Sequence, residues 1–299
     1  MRVQFLEGLT KLAEEDSRVV LITADLGFGS IEVFSQRHSQ RFFNLGVTEQ
    51  AIVGVATGLA EGGFIPYCYS IASFSVARTF EFLRNGPIAH QLPVRVIGVG
   101  PGFDYSFDGL THYALEDLAL LGSQPQTKIV APVDGDRAFA VGENGFEDKG
   151  LVYIRLARSV SPSSIPILSK ETKFSPVVVL GYGDSSAKTQ ELVELMRASG
   201  VEASSAMVEE ISKDSLEDIA QLMSENSVKL LVTVENHYVR GGFGSMVTDA
   251  LMEHGWSGLI KKWGVESLPN SFVGSSDYMM KEYCTKDSEV LNFVLRNLG

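Results

Sequence analysis

The chain has 299 residues, 44% of them hydrophobic and 21% charged, a balance expected of a soluble globular protein with room for two domains. Thirty-seven acids against 25 bases leave a net charge of −12, without a run of Lys or Arg that could follow a phosphate backbone. Nucleic acid and anionic membrane surfaces are therefore poor partners. No apolar run reaches membrane-spanning length, and the two cysteines, Cys68 and Cys284, lie far apart without zinc spacing; both point to a reduced, cytoplasmic protein.

Residues 1–16 carry an apolar stripe (Phe5, Leu6, Leu9, Leu12, Ala13) interrupted by acids, which predicts an amphipathic helix rather than a signal peptide. Residues 19–25 form a β-branched run closed by Asp25, Gly27 and Gly29, a strand followed by a glycine loop. After a short helix near 31–37, residues 41–45 predict a short buried strand. Gly46 marks a turn, and Thr48 is placed to cap a helix running to about Gly62 with Ile52, Val55, Ala56 and Leu59 as its apolar stripe. A strand at 64–71 and a helix from about 73 to 91 follow, with Pro87 set to kink or end its last turn. A strand at 94–100 opens into a polar and aromatic loop, 101–112, of a length that more often carries function than spans a gap. A helix at 115–121, a strand at 128–133, a helix after Asp134 and a strand at 151–158 complete the first domain, 1–160.

Residues 161–174 contain a Ser/Pro run that cannot hold regular structure and predict a linker. In the second domain, 175–299, strands at 177–182, 202–208 and 229–235 alternate with helices. A Gly241-Gly242-Phe243-Gly244-Ser245 turn then opens a helix to His254, and a last strand lies near 259–265. The fold class is α/β: two consecutive domains with mainly parallel sheets flanked by helices.

Glu49 is the first chemical candidate. It falls in a first helical turn at the carboxyl end of a strand, where ligands collect in open α/β sheets. Complementing the helix dipole would by itself explain an acid there. Gly54 and Gly58, four apart in the same helix, each cost roughly 1 kcal/mol relative to Ala, which makes sense if a second chain packs closely on that face. A carboxylate at the tip of such an interfacial helix is poorly solvated, and its hydrogen bonds strengthen. His112 is the second candidate, sharing its loop with Asp104 and Asp108; structural and proton-transfer roles stand level for it. Phe74, Phe80 and Phe82 read as core, Arg158 as a surface charge or an anion ligand, and His237 as a weaker candidate. The 241–245 turn lacks a P-loop Lys and reads as a closely packed turn.

Taken together, these residues resemble the C-terminal half of transketolase, its pyrimidine-binding domain followed by its C-terminal domain. The resemblance is carried by Arg41-Phe-Phe-Asn-Leu-Gly-Val-Thr-Glu49-Gln50 and by Asp108-Gly-Leu-Thr-His112 followed by Glu116-Asp117. Phe74 with Arg78, Val152-Tyr-Ile-Arg-Leu-Ala-Arg158 and Val232-Thr-Val-Glu235 support it, and it covers essentially the whole chain. It implies that Glu49 hydrogen-bonds the pyrimidine ring nitrogen of thiamine diphosphate and favours the tautomer that activates the thiazolium. It implies further that Phe74 stacks on the pyrimidine, that Ile71 lines the same pocket and that Asp25 lies near the cofactor. His112 would contact substrate hydroxyls and assist proton transfer, Asp108 would hold a sugar hydroxyl, and Arg158 would bind a sugar phosphate.

The same resemblance implies a partner. The diphosphate and Mg²⁺ of that family are held by a Gly-Asp-Gly motif, and no such triplet occurs here; Gly183-Asp184-Ser185 is nearest and lies in the second domain. The expectation is a split transketolase, with an N-terminal subunit supplying that site in an α2β2 assembly. Leu110 replaces a proline of the family motif, Gly100-Pro101 stands where related enzymes place His or Arg, and Ala77 replaces an aromatic. Ketol transfer is thus better indicated than any particular phosphorylated sugar. The alternatives are the beta subunit of a 2-oxoacid dehydrogenase, against which the Asp-Gly-x-Thr-His loop argues, deoxyxylulose-phosphate synthase, and a non-catalytic regulatory or scaffold partner.

Overall fold

The computed structural model describes residues 1–158, 160, 162–269 and 273–298; Ser161, the first residue of the expected linker, lies outside them. Helix α1 (Arg2–Glu15) leads into β1 (Val19–Thr23), α2 (Glu32–Arg37), β2 (Phe42–Asn44), α3 (Glu49–Glu61) and β3 (Ile65–Ile71). Then come α4 (Phe80–Leu83), β4 (Arg95–Val99), α5 (Asp117–Gly122), β5 (Lys128–Val130), α6 (Gly135–Asn144) and β6 (Val152–Leu156). The second half holds β7 (Val177–Tyr182), α7 (Ser186–Ala198), β8 (Ala203–Val208), β9 (Glu210–Ile211) and α8 (Lys213–Glu225). It ends with β10 (Leu230–Tyr238), α9 (Phe243–Glu253), β11 (Leu259–Val265), α10 (Ser276–Tyr283) and α11 (Asp287–Leu298).

Among the described residues the strands form two sheets, ordered β2-β1-β3-β4-β6-β5-β9 and β11-β10-β7-β8. Pairing is parallel throughout, except that β9 runs antiparallel to β5, with Ile129 opposite Ile211 and Val130 opposite Glu210. A strand from the second half thus closes the first sheet. Strands β1, β4 and β6 are buried along their full length, because helices cover both faces of a parallel sheet and their sequences are near-continuous apolar runs. Helices α1 and α6 cross at glycines. A Cβ on Gly8 would lie 2.3 Å from the Phe139 carbonyl oxygen, and one on Gly142 2.3 Å from that of Phe5, so this contact tolerates no side chain.

Five expectations need correction. The strand expected to be buried at 41–45 is the sheet-edge strand β2, with Phe43 41% exposed, because β1 covers one side of it only. The helix expected over 73–91 is broken: wide turns over Ser73–Ala77 and Arg84–Ile88 flank α4, and Pro87, which lacks an N–H, sits inside the second. In α3 the buried positions are Ile52, Val53, Ala56 and Ala60, whereas Val55 is exposed. Phe82, expected in the core, is also exposed. Thr48 does occupy the cap position of α3, yet its Oγ1 donates to the Leu45 carbonyl at 2.9 Å rather than capping the helix. Both cysteines are free and buried, and no helix among the described residues is long and apolar enough to cross a membrane.

Candidate active site

The carboxyl ends of β1 and β3, the start of α3 and the loop after β4 meet at one edge of the first sheet. Asn44, at the end of β2, ties two of these together. Its Oδ1 accepts from the Asp25 and Gly46 backbone N–H groups, each at 3.0 Å, and its Nδ2 donates to Asp25 Oδ1 at 2.9 Å. Asp25 itself is exposed and holds a left-handed backbone, φ 59°, which a short polar side chain tolerates better than most. Asn44 lies inside the motif that singled out Glu49, but its clamping of the turn before α3 was not read from the sequence.

Glu49 is the first residue of α3 and only 3% exposed. Its Oε2 accepts from Arg78 Nη1 at 2.9 Å, while Oε1 is buried without a partner among the described residues. The Arg78 guanidinium also lies over the Phe74 ring, 4.1 Å from its centroid. Phe74 in turn meets His112 edge-on at 5.0 Å, and His112 Nδ1 pairs with Thr111 Oγ1 at 2.9 Å. The structure therefore brings Glu49, Phe74 and His112 into one chain of contacts, with Arg78 as the link that sequence reasoning had left without a role. Beneath Glu49 a narrow pocket is lined by Ile52, Val53, Tyr69, Ser70 and Thr79. Ile71, half-buried, ends β3 just before the Phe74 turn.

Arg158 reaches this edge differently. Its backbone N–H donates to Asp104 Oδ2 at 2.8 Å, its Nη1 donates to the Asp104 carbonyl at 3.2 Å, and its guanidinium covers Tyr105 at 4.7 Å. Tyr105 lies 6.4 Å from His112, ring to ring, so the arginine borders the histidine through an aromatic neither sequence motif contained. Burial, and after it the Asp184 charge, pushes the Asp104 carboxyl up to about 7. Asp108 is exposed on the same loop.

Behind the site a buried ionic network joins the two sheets. Arg155 Nε donates to Asp117 Oδ2 at 2.8 Å, Nη1 to Asp184 Oδ1 at 3.2 Å and Nη2 to the Asn236 carbonyl at 2.8 Å. Tyr153 donates its hydroxyl to Asp117 at 2.7 Å, and Asn236 Nδ2 donates to Asp184 at 3.0 Å. Burial works to raise the Asp117 carboxyl, but Arg155 and then His237 outweigh it and hold it low, whereas burial prevails at Asp184 and raises it. His237 is fully buried in this network, and burial lowers it to about 4; it belongs to the scaffold rather than to an open site. The 241–245 turn is likewise filled from within. Glu235 accepts from the Phe243 and Gly244 N–H groups at 2.6 and 3.0 Å, so the first amides of α9 have an internal anion, whose carboxyl burial raises to about 7.

Comparison with known proteins adds an independent line. The family described as transketolase, pyrimidine binding domain, matches residues 1–163. The chain is 26% identical over 295 residues to a protein of Methanocaldococcus jannaschii named as a transketolase C-terminal section, covering 95% of this chain and 91% of that one. It is 28% identical over 303 residues to the 6-deoxy-6-sulfo-D-fructose transketolase subunit SqwH of a Clostridium species, covering 97% and 92%. Among solved structures, a split gene transketolase described as an inactive beta4 tetramer superposes with a TM-score of 0.79 at 28% identity, over 99% of this chain and 96% of that one.

Proposed function

Since the chain belongs to the transketolase pyrimidine-binding family, we propose that it is the C-terminal, beta-type subunit of a split thiamine diphosphate-dependent transketolase. In this reading it transfers a two-carbon ketol unit between sugars once joined to an N-terminal diphosphate-binding subunit. The observation that carries the reading is the Glu49 carboxylate, buried at a helix tip with Oε1 left bare. A buried acceptor without a donor costs about 1–3 kcal/mol, and native proteins rarely leave one unexplained.

The residues present fit an aminopyrimidine: an acid for its ring nitrogen, the Phe74 ring for its face and Ile71 for its apolar edge, with Asp25 nearby. Bound there, thiamine diphosphate supplies the electron sink for breaking the bond beside a ketose carbonyl. Glu49 shares a proton at Oε1, and Phe74 orients the ring. His112, with Nδ1 engaged by Thr111, moves a proton at Nε2 to or from a sugar hydroxyl. Asp108 holds a second hydroxyl. Arg158 binds the anionic end of the sugar, whether phosphate or the sulfonate that the name of the Clostridium relative indicates for that protein.

The Mg²⁺ and diphosphate belong, in this reading, to the Gly-Asp-Gly subunit of an α2β2 assembly in the cytoplasm. Exposed apolar residues support such covering: Phe28 and Val47 lie on loops beside β1 and before α3, and Phe107 and Leu110 lie on the loop bearing His112. Large apolar side chains gathered at one edge mark a contact surface. We place the domain boundary as the composition suggested, 1–160 and 175–299 around the 161–174 linker. The test is a reconstitution. The chain alone should not turn over a ketose donor and aldose acceptor, the mixture with its N-terminal subunit should, and Glu49→Ala in the mixture should abolish turnover. Ketol transfer by this chain by itself would overturn the proposal.

A further inference from the structure

We infer that Arg78 is a positioning residue of the pyrimidine seat: it takes one oxygen of Glu49 and one face of Phe74, and so reserves the other oxygen for a ligand's ring nitrogen. This inference rests on the function proposed above and adds a residue to which the motif comparison gave no role.

The geometry of the ion pair is the telling feature. A guanidinium usually grips a carboxylate with two parallel bonds, which would consume both oxygens. Here the contact is through Oε2 at 2.9 Å, and Oε1 stays buried and bare. The two partners differ in setting: the Arg78 side chain is 39% exposed and that of Glu49 4%, so the arginine reaches inward from the mouth of the site. On its way it covers Phe74, fixing the plane of the ring that also borders His112.

Its backbone is placed by an unusual local structure. The wide turn Ser73–Ala77 sets the Arg78 N–H against the Ser73 carbonyl at 3.4 Å, an i→i+5 bond of the type that concentrates at functional sites. Gln50, beside Glu49 in the first turn of α3, donates its Nε2 to the Arg78 carbonyl at 3.4 Å. The helix tip and the wide turn are thus clipped at two points, side chain to side chain and side chain to backbone. A lysine at this position would keep the charge but lose both the flat face and the fork.

The test measures cofactor affinity in the reconstituted complex by titration calorimetry, with melting temperature as a control for folding. Arg78→Ala should loosen thiamine diphosphate by ~10- to 100-fold, the worth of one hydrogen bond to a charged group, and lower kcat while leaving KM for the sugars unchanged. Arg78→Lys should recover part of the affinity but not kcat. Tighter binding by Arg78→Ala would show that the arginine merely occupies the seat until it is displaced, and would overturn the inference. Unchanged affinity with a lower melting temperature would overturn it as well. Glu49→Gln separates the two levels. If that variant binds and turns over like the wild type, the function itself is wrong; if it fails while Arg78→Ala binds normally, only the role of Arg78 falls.

Discussion

Glu49 and Asp104 are both acids at the same edge, yet they ask for different experiments. For Glu49 the proposed chemistry is a shared proton, so a neutral isostere that keeps the shape is the sharper probe. Glu49→Gln in the reconstituted complex should lose activity by ~100-fold or more, the scale of a lost acid–base group, with little change in melting temperature; near-normal kcat would remove the residue from the mechanism. For Asp104 the readout is stability against pH. Its carboxyl stays protonated to about 7 in the folded chain but ionises near ~3.9 when unfolded. Between those values the folded state holds the extra proton, so stability should fall as pH rises from about 4 to 7 and level off above. The urea midpoint of the wild type should therefore decline relative to that of Asp104→Asn over this window. His237, lowered to about 4 by burial, pulls in the opposite sense but is present in both proteins and cancels. A constant difference between the two midpoints would contradict the raised Asp104.

Helix α3 gives the prediction at the next scale. Among the described residues, no atom beyond the helix's own backbone and chain neighbours lies within 4 Å of a Cβ built on Gly54 or Gly58, and Val55 and Phe82 are exposed. Alanine at each glycine should raise the stability of the isolated chain by up to ~1 kcal/mol through helix propensity. Gly58→Leu should fold equally well but weaken association in sedimentation; wild-type association in that variant would show that this face meets no other subunit. The elements themselves were largely legible. Strands β1, β4, β6 and β7 fall where apolar runs placed them, because a strand buried on both faces leaves little choice of residue. What escaped depends on neighbours the linear pattern does not record. The aromatic run of β2 looks like core but lies at a sheet edge, and β9, two residues long, exists through its pairing with β5. The helix after β3 was legible in extent but not in kind, since wide turns differ from α-helix by one hydrogen-bond register. Of the candidate site, Glu49, Phe74 and His112, which the structure brings into one chain of contacts, were singled out from motif and position. Arg78 was named there only in support of the resemblance, and its contacts, like the place of Tyr105, became visible only in space.

For the molecule as a whole, the Arg155 network decides how the two sheets act together. Its side chain and that of Asp117 are 1% and 2% exposed, so removing Arg155 strands both Asp117 and Asp184, and removing Asp117 leaves the buried guanidinium with Asp184 as its remaining carboxylate. Asp117→Ala should cost ~3–5 kcal/mol, whereas Asp117→Leu combined with Arg155→Met should cost much less than the sum of the two changes. Additive losses in urea unfolding would mean that the pair is not coupled. The antiparallel strand β9 has a consequence of its own. A protease nick or an engineered cut in 161–174 would not release two self-sufficient pieces, because the N-terminal fragment would carry β5 with one flank of amides and carbonyls facing water. Such an open rim templates pairing between molecules, so that fragment, expressed alone, should precipitate or form fibrils, and supplying the missing C-terminal fragment in trans should restore it to solution.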